Sequence, residues 1–348
     1  MTINERILSA LTWAVPDYVP LTIYEDLLPR GIAERQLREA GLGLITRLPA
    51  HNVEHRQVEI TTCEYFERGQ KLRRRSINTP VGEVWQTLES DQAYASNWIR
   101  EHFIKKPEDY AVMEFYVRDG VYHDNYGAIR EASRRTGDDG LVIVRVGKTP
   151  LQEMLYQMLG YEQFAVDFYE NRELFESLHS AMVRRYQELY EFGANAPVEV
   201  LQLADNVTAD AIGPERFQNY LMTEYTKLKA RLAGTGKLLA VHMDGRLRGL
   251  VDQIARSDCD IIEGMTPPPM GDVSVRDARL AWPTKALWLN FTSSVHLEAP
   301  ERIEAHTRQL LSEAGGKRGL IIGVTENAPL EALERSLFII ARILRETT

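Results

Sequence analysis

Apolar positions recur along this chain in two rhythms. Near the start, NERILSAL places Ile7, Leu8 and Leu11 on one face, which predicts a helix capped by Asn4. DYVPLTIY (17–24) reads as a buried strand, GIAERQLREAG as a helix closed by Gly41, and LGLITRL as a short strand. A period of two then takes over in VEITTCEYFERGQKLRRRSINTPVGEVWQTLES, with turns at Arg68-Gly69 and Pro80-Val81-Gly82. That pattern predicts antiparallel hairpins over about 55–90, an insertion or cap within a βα chain.

Helical patterns follow at about 106–117 and 123–135. Six more apolar runs come after them, at 141–147, 198–204, 237–243, 259–265, 286–291 and 319–324. Helical patterns separate these runs, the longest at about 173–192. With VPLTIY and LGLITRL they make eight strands alternating with helices, and no Gly-rich dinucleotide loop follows any of them. The fold expected is therefore α/β, a (β/α)₈ TIM barrel rather than a doubly wound sheet, as one domain over 1–348.

Composition narrows the function classes. The formal net charge is −9 with both signs dispersed, which excludes the clustered basic face a nucleic-acid partner needs. The one basic block, KLRRRS (71–76), reads as a solvated edge or an anion contact. Cys63 and Cys259 supply neither a disulfide framework nor a Cys-x-x-Cys motif. The opening residues lack a basic, then apolar, leader, and no apolar run approaches the ~18 residues of a membrane span. A cytoplasmic protein without a membrane partner is expected.

A barrel of this kind gathers chemistry at the C-terminal ends of its strands. The polar residues just past the apolar runs are Glu25, Asp205-Asn206, His242-x-Asp244, Glu263, Asn290 and Thr325-Glu326-Asn327. Each has a plain structural reading beside the functional one. His242 can be a hydrogen-bonded strand-end histidine, Asp244 can cap the helix near Leu247, Asp205 can cap a turn, and Asn290 can brace its own loop. Glu263 and Glu326 sit beside apolar strands, where an unpaired carboxylate is expensive; a metal, an arginine partner or a raised pKa would each make it tolerable. Imidazole and carboxylates from separate strands suit zinc or another divalent metal with an open coordination position. Cys259 begins its strand and falls at the opposite end.

These residues also carry a likeness. NERILSALTWAVPDYVPL, INTPVGEVWQTLES, HFIKKPEDYAVMEFYVRD, ADNVTADAIGPERFQNYL, VHMDG, IIEGMTPPPMGDVSV and GLIIGVTENAP together resemble the uroporphyrinogen decarboxylase-like superfamily, over nearly the whole chain. TPVG and IKKPEDY look most like its corrinoid-dependent methyltransferase branch. The resemblance implies a (β/α)₈ barrel that passes a methyl group to the Co(I) corrinoid of a partner protein. Two departures matter. Where porphyrin decarboxylases carry an arginine-rich motif, this chain reads TIYEDLLPRG, with Arg30 alone, so it does not resemble a true porphyrin decarboxylase. Where thiol-methylating members bind zinc through His-x-Cys and a later Cys, this chain has His242-Met243-Asp244 and GVTENAP.

Oxygen ligands in place of thiolates make a harder, more Lewis-acidic metal, suited to a methoxy oxygen rather than a thiol. The leading expectation is thus O-demethylation of a methoxylated, possibly aromatic, or similar small donor. His242, Glu263 and Glu326 would hold the metal, with Asp244 or Thr325 as alternatives. Asp205, Asn206 and Asp244 are the expected catalytic residues, and Asn290, Tyr116 and Arg145 the expected substrate contacts, although an apolar helical stripe also explains Tyr116. A metal-free decarboxylase or lyase is the alternative, with Asp205 as acid/base and Arg145 or Arg246 on a carboxylate. A non-catalytic binding homologue is the third. The sequence leaves the oligomeric state open; the resemblance brings in a homodimer as one option, since hairpin caps of this sort often pair in that superfamily.

Overall fold

The eight apolar runs do become strands of one closed barrel. The structure, a computed structural model, describes residues 1–91 and 96–347. Its strands are β1 (Leu21–Tyr24), β2 (Leu42–Pro49), β3 (His51–His55), β4 (Glu59–Glu67), β5 (Gln70–Thr79), β6 (Gly82–Asp91), β7 (Ser96–Glu101), β8 (Gly120–Asp124), β9 (Gly140–Gly147), β10 (Val200–Leu203), β11 (Leu238–His242), β12 (Ile261–Met265), β13 (Ala286–Asn290) and β14 (Leu320–Val324). The barrel order is β1-β14-β13-β12-β11-β10-β9-β2, closing β2 back on β1, and its paired strands run parallel, as in Tyr24 opposite Ile45 and His242 opposite Glu263. This is the (β/α)₈ barrel that the strand–helix alternation predicts.

The chain forms two compact units, Met1–Pro49 with Tyr126–Arg145 and Ala196–Thr348, and Ala50–Asn125 with Val146–Asn195. The first unit carries the barrel. Alternate strand residues point inward, and Tyr24, Ile45, Leu141, Ile143, Val200, Ala240, Ile261, Ala286, Trp288 and Ile321 pack as one apolar cluster. Ile7, Ala10 and Leu11 of the first helix (Ile3–Leu11) join that cluster and close the barrel at the starts of its strands. Asn4 does not cap this helix. Thr2 does, accepting from Glu5 N while the Glu5 carboxylate accepts from Thr2 N. The reciprocal pair satisfies two end donors, so Asn4 is free to reach the barrel, donating to Gly140 O at the start of β9 (2.7 Å).

The second unit contains the hairpins expected at about 55–90. β4, β5, β6 and β7 form an antiparallel sheet in that order. Its first turn uses Arg68 and Gly69 at φ 51° and 81°, the left-handed pair a tight hairpin requires. The basic run lies on β5, an inner strand rather than an edge. Two of its charges are engaged there, Lys71 by Glu64 at 2.7 Å and Arg74 over the Trp85 ring at 5.4 Å. The segment 120–124, whose last two residues fall in the expected helix from 123, is instead a strand paired with β3, with Val121 and Tyr122 opposite Glu54 and Val53. The longest helix, Arg172–Asn195, brackets the expected 173–192. Among the described residues no helix is long and apolar enough to cross a membrane.

One buried histidine gives the barrel unit an acid sensitivity. His296, 1% exposed, follows β13 with its ring 4.8 Å from Phe291 and Nδ1 2.7 Å from Ser336 Oγ. Burial, with His306 nearby, pushes its pKa down to about 4 from 6.5. The unfolded chain therefore binds the extra proton first. Stability should fall by on the order of 3 kcal/mol as pH drops from 6.5 to 4, and urea unfolding of His296→Gln should lack that slope.

Candidate active site

Two residues beyond the apolar cluster, the inward positions turn polar. Ile45 is succeeded by Arg47, Ile143 by Arg145, Val200 by Gln202, Ala240 by His242, Ile261 by Glu263 and Trp288 by Asn290. Strand alternation therefore stacks an apolar layer under a polar one, at the end where barrel sites form.

Glu263 organises that layer. It is fully buried, and three side chains donate to it or face it: Tyr24 Oη to Oε1 at 2.5 Å, Gln202 Nε2 to Oε2 at 2.7 Å, and His242 Nδ1 2.6 Å from Oε2. Burial alone would raise the carboxyl pKa, but the His242 charge and these hydrogen bonds overcome it and leave the group ionised. Burial would likewise lower His242, yet the Glu263 charge, with hydrogen bonds to Asp244 and Glu263, carries it up to about 10. Its Nε2 stands 3.5 Å from Asp244 Oδ2, and Asn206 Nδ2 approaches the same oxygen at 3.4 Å. The ring is an imidazolium clamped between two carboxylates. It lies against Gly264, whose φ of 75° and lack of Cβ are both required, since an added Cβ would come 2.4 Å from the His242 ring.

The other expected residues are placed as follows. Asp205 is fully buried and accepts from Tyr225 Oη at 2.8 Å. Asn290 braces the strand ends, donating to Thr266 Oγ1 and accepting from Thr325 N. Glu326 accepts from Ser293 Oγ at 2.5 Å. Arg246 lies exposed, 3.9 Å from Asp210. Arg145 is half-buried at the barrel end of β9. Tyr116 belongs to the second unit, on the helix Asp109–Asp119, stacked on His55 at 4.7 Å.

His242 and Glu263 are thus brought together, but as partners of each other. Among the described residues no group of three or more His, Cys, Asp or Glu side chains is arranged to hold a metal ion. With both His242 nitrogens facing carboxylates, Glu263 satisfied internally and Glu326 bonded to Ser293, the donor set does not fit a zinc site of three protein ligands. The strand-end reading missed Tyr24, Gln202 and Arg47. A glutamine inside the apolar run VLQL was the available signal, because a buried amide needs partners.

No family profile matches the sequence, and no curated protein matches it either. Among solved structures the chain is similar to a methyltransferase from Methanosarcina mazei, with 15% identity, 98% of each chain covered and a TM-score of 0.56. A muconate cycloisomerase from Pseudomonas fluorescens also aligns, at 12% identity over 83% of this chain and 77% of that one, with a TM-score of only 0.24. The first likeness shows the fold, and the second is too loose to add to it.

Replacing Glu263 by Gln removes the charge and leaves His242 facing a neutral amide. The cost should be about 3 kcal/mol by thermal or urea unfolding. In the native protein His242 contributes stability fully below pH 6.5 and loses it as pH rises toward 10, whereas Glu263 contributes above pH 4.5 and loses it in acid. A stability decline between pH 6.5 and 10 that is absent in Glu263→Gln is the expected signature.

Proposed function

We propose that this protein is a methyltransferase that takes a methyl group from a methoxylated or similar small donor and delivers it to the Co(I) corrinoid of a partner protein. Support comes from the fold likeness to a methyltransferase over 98% of both chains, and from the resemblance of the sequence segments quoted above. One observation carries the chemistry: His242, its Nδ1 2.6 Å from buried Glu263, presents Nε2 at the barrel mouth beside Asp244.

The corrinoid of the partner protein, as methyl acceptor, would supply the electron pair for the new bond to the methyl carbon. The carbon–oxygen bond breaks with its pair left on oxygen, and the barrel must stabilise and protonate that oxygen. His242 is the residue suited to this, as a cation and as a donor through Nε2. Glu263 fixes the ring orientation and keeps the imidazole charged, and Tyr24 and Gln202 hold Glu263 in place. Asp244, 22% exposed, and Asn206 bound the mouth on that side. Of the residues expected to hold a zinc ion, His242 and Glu263 bond each other and Glu326 bonds Ser293, so polarisation of the donor oxygen falls to the imidazolium.

The direct test mixes the protein with free cob(I)alamin and a panel of methoxylated donors, following corrinoid absorbance and the demethylated product. Transfer is expected, with kcat lowered on the order of 10²-fold in His242→Gln. Absence of transfer from every donor sinks the reading. Release of carbon dioxide without corrinoid would instead favour the decarboxylase alternative.

A further inference from the structure

The barrel mouth holds more positive charge than the His242 network uses. Arg47 and Arg145 rise from the adjacent strands β2 and β9, in the register that sets Arg47 opposite Ile143. Each lies two residues beyond an isoleucine of the barrel's apolar cluster, so each starts from the interior face. Arg47 is 19% exposed, with its guanidinium 3.4 Å over the Tyr24 ring. It bonds both Asp26 oxygens, at 2.8 and 2.9 Å. The Arg145 side chain is half-buried and makes no hydrogen bond or ion pair among the described residues. Its surroundings confirm the clustering: burial weakens its hold on the proton, the Arg47 charge does so further, and Asp26 and Tyr24 oppose them.

One carboxylate thus stands near two guanidiniums, bonded to Arg47 alone, and it is itself largely in solvent, at 65% exposure. A half-buried cation without a partner is costly, and an incoming anion removes the cost. A planar guanidinium matches a carboxylate in shape and hydrogen-bonding reach. One unmatched charge also matches a monoanion, where a phosphate dianion would overshoot.

We propose that Arg145, assisted by Arg47, is an anion subsite that holds a carboxylate of the donor, making the substrate a small methylated carboxylic acid. The assignment rests on the methyltransferase reading for the word donor, but the subsite itself is tested by binding alone.

Calorimetric titration with benzoate is the test, with benzamide as the uncharged control and inorganic phosphate as the rival anion. Benzoate should bind at least tenfold more tightly than benzamide or phosphate. Arg145→Gln should weaken benzoate about tenfold and leave benzamide unchanged, with Arg145→Lys intermediate because it keeps the charge but not the fork. No benzoate binding, equal binding of benzamide, tighter binding of phosphate, or full benzoate affinity in Arg145→Gln would each overturn the proposal. Failure of the two readings is separable. Benzoate binding through Arg145 with no methyl transfer from any donor removes the methyltransferase and keeps the subsite. Transfer from methoxybenzene as fast as from methoxybenzoate, and unchanged in Arg145→Gln, removes the subsite and keeps the methyltransferase.

Discussion

The burial of one ionised carboxylate constrains everything at the open end of this barrel. Glu263 has no contact with solvent, so its charge must be met by donors inside the protein. Those donors come from three other strands: Tyr24 on β1, Gln202 on β10 and His242 on β11. An interaction linking four strands works only when the barrel is closed in register, because a slip of one residue on any strand would turn its member outward. The carboxylate therefore ties local chemistry to global topology. It also fixes the imidazole, since a ring bonded through Nδ1 can present only Nε2 to the mouth.

The surrounding sequence accommodates that arrangement. Gly264 follows Glu263 with φ 75° and leaves the space the His242 ring fills. The Trp288 indole donates to Thr22 Oγ1 at 3.0 Å in the layer beneath, and Gly323 keeps clear of both, for an added Cβ would stand 2.9 Å from Trp288 Nε1. A large aromatic at the base of the polar layer thus needs a strand without a side chain beside it. Two glycines, each inside or beside a strand, are where backbone gives way to side-chain packing.

The barrel was legible in the sequence because its strands are buried on both faces and so read as continuous apolar runs between helical patterns. All eight runs correspond to barrel strands. The pairing of β3 with β8 was not legible, since five-residue segments half exposed to solvent carry little pattern. At the site, His242, Glu263 and Asp244 were visible as polar ends of apolar runs. Their relationship was not, because sequence shows which residues end a strand but not which residues reach across the barrel. Tyr24 was hidden for the same reason: in LTIY a tyrosine looks like packing, and only the closed barrel shows its hydroxyl 2.5 Å from a carboxylate. Asp205 shows the reverse. It stands at a strand end as a catalytic acid would, yet it is sealed and bonded to Tyr225.

The charges at the mouth divide by strand. On β11 and β12 with the loop beyond, His242 stands between Glu263 and Asp244, one positive charge between two negative ones. On β2 and β9, with Asp26 just past β1, Arg47 and Arg145 stand beside one negative charge, bonded to Arg47 alone. The total balances, but the halves do not, so the mouth is polarised from the β2–β9 side toward the β11–β12 side. A polarised pocket orients a polar molecule before any specific contact forms, because the field falls off slowly where water is scarce. Under the proposed function, a donor with an anionic end would enter such a mouth with that end toward the arginines. Its opposite end would then meet His242, the cation between Glu263 and Asp244 and the group proposed to donate to the oxygen that loses its methyl group. On that proposal, the geometry that keeps Glu263 charged in the interior also sets which end of the substrate reacts.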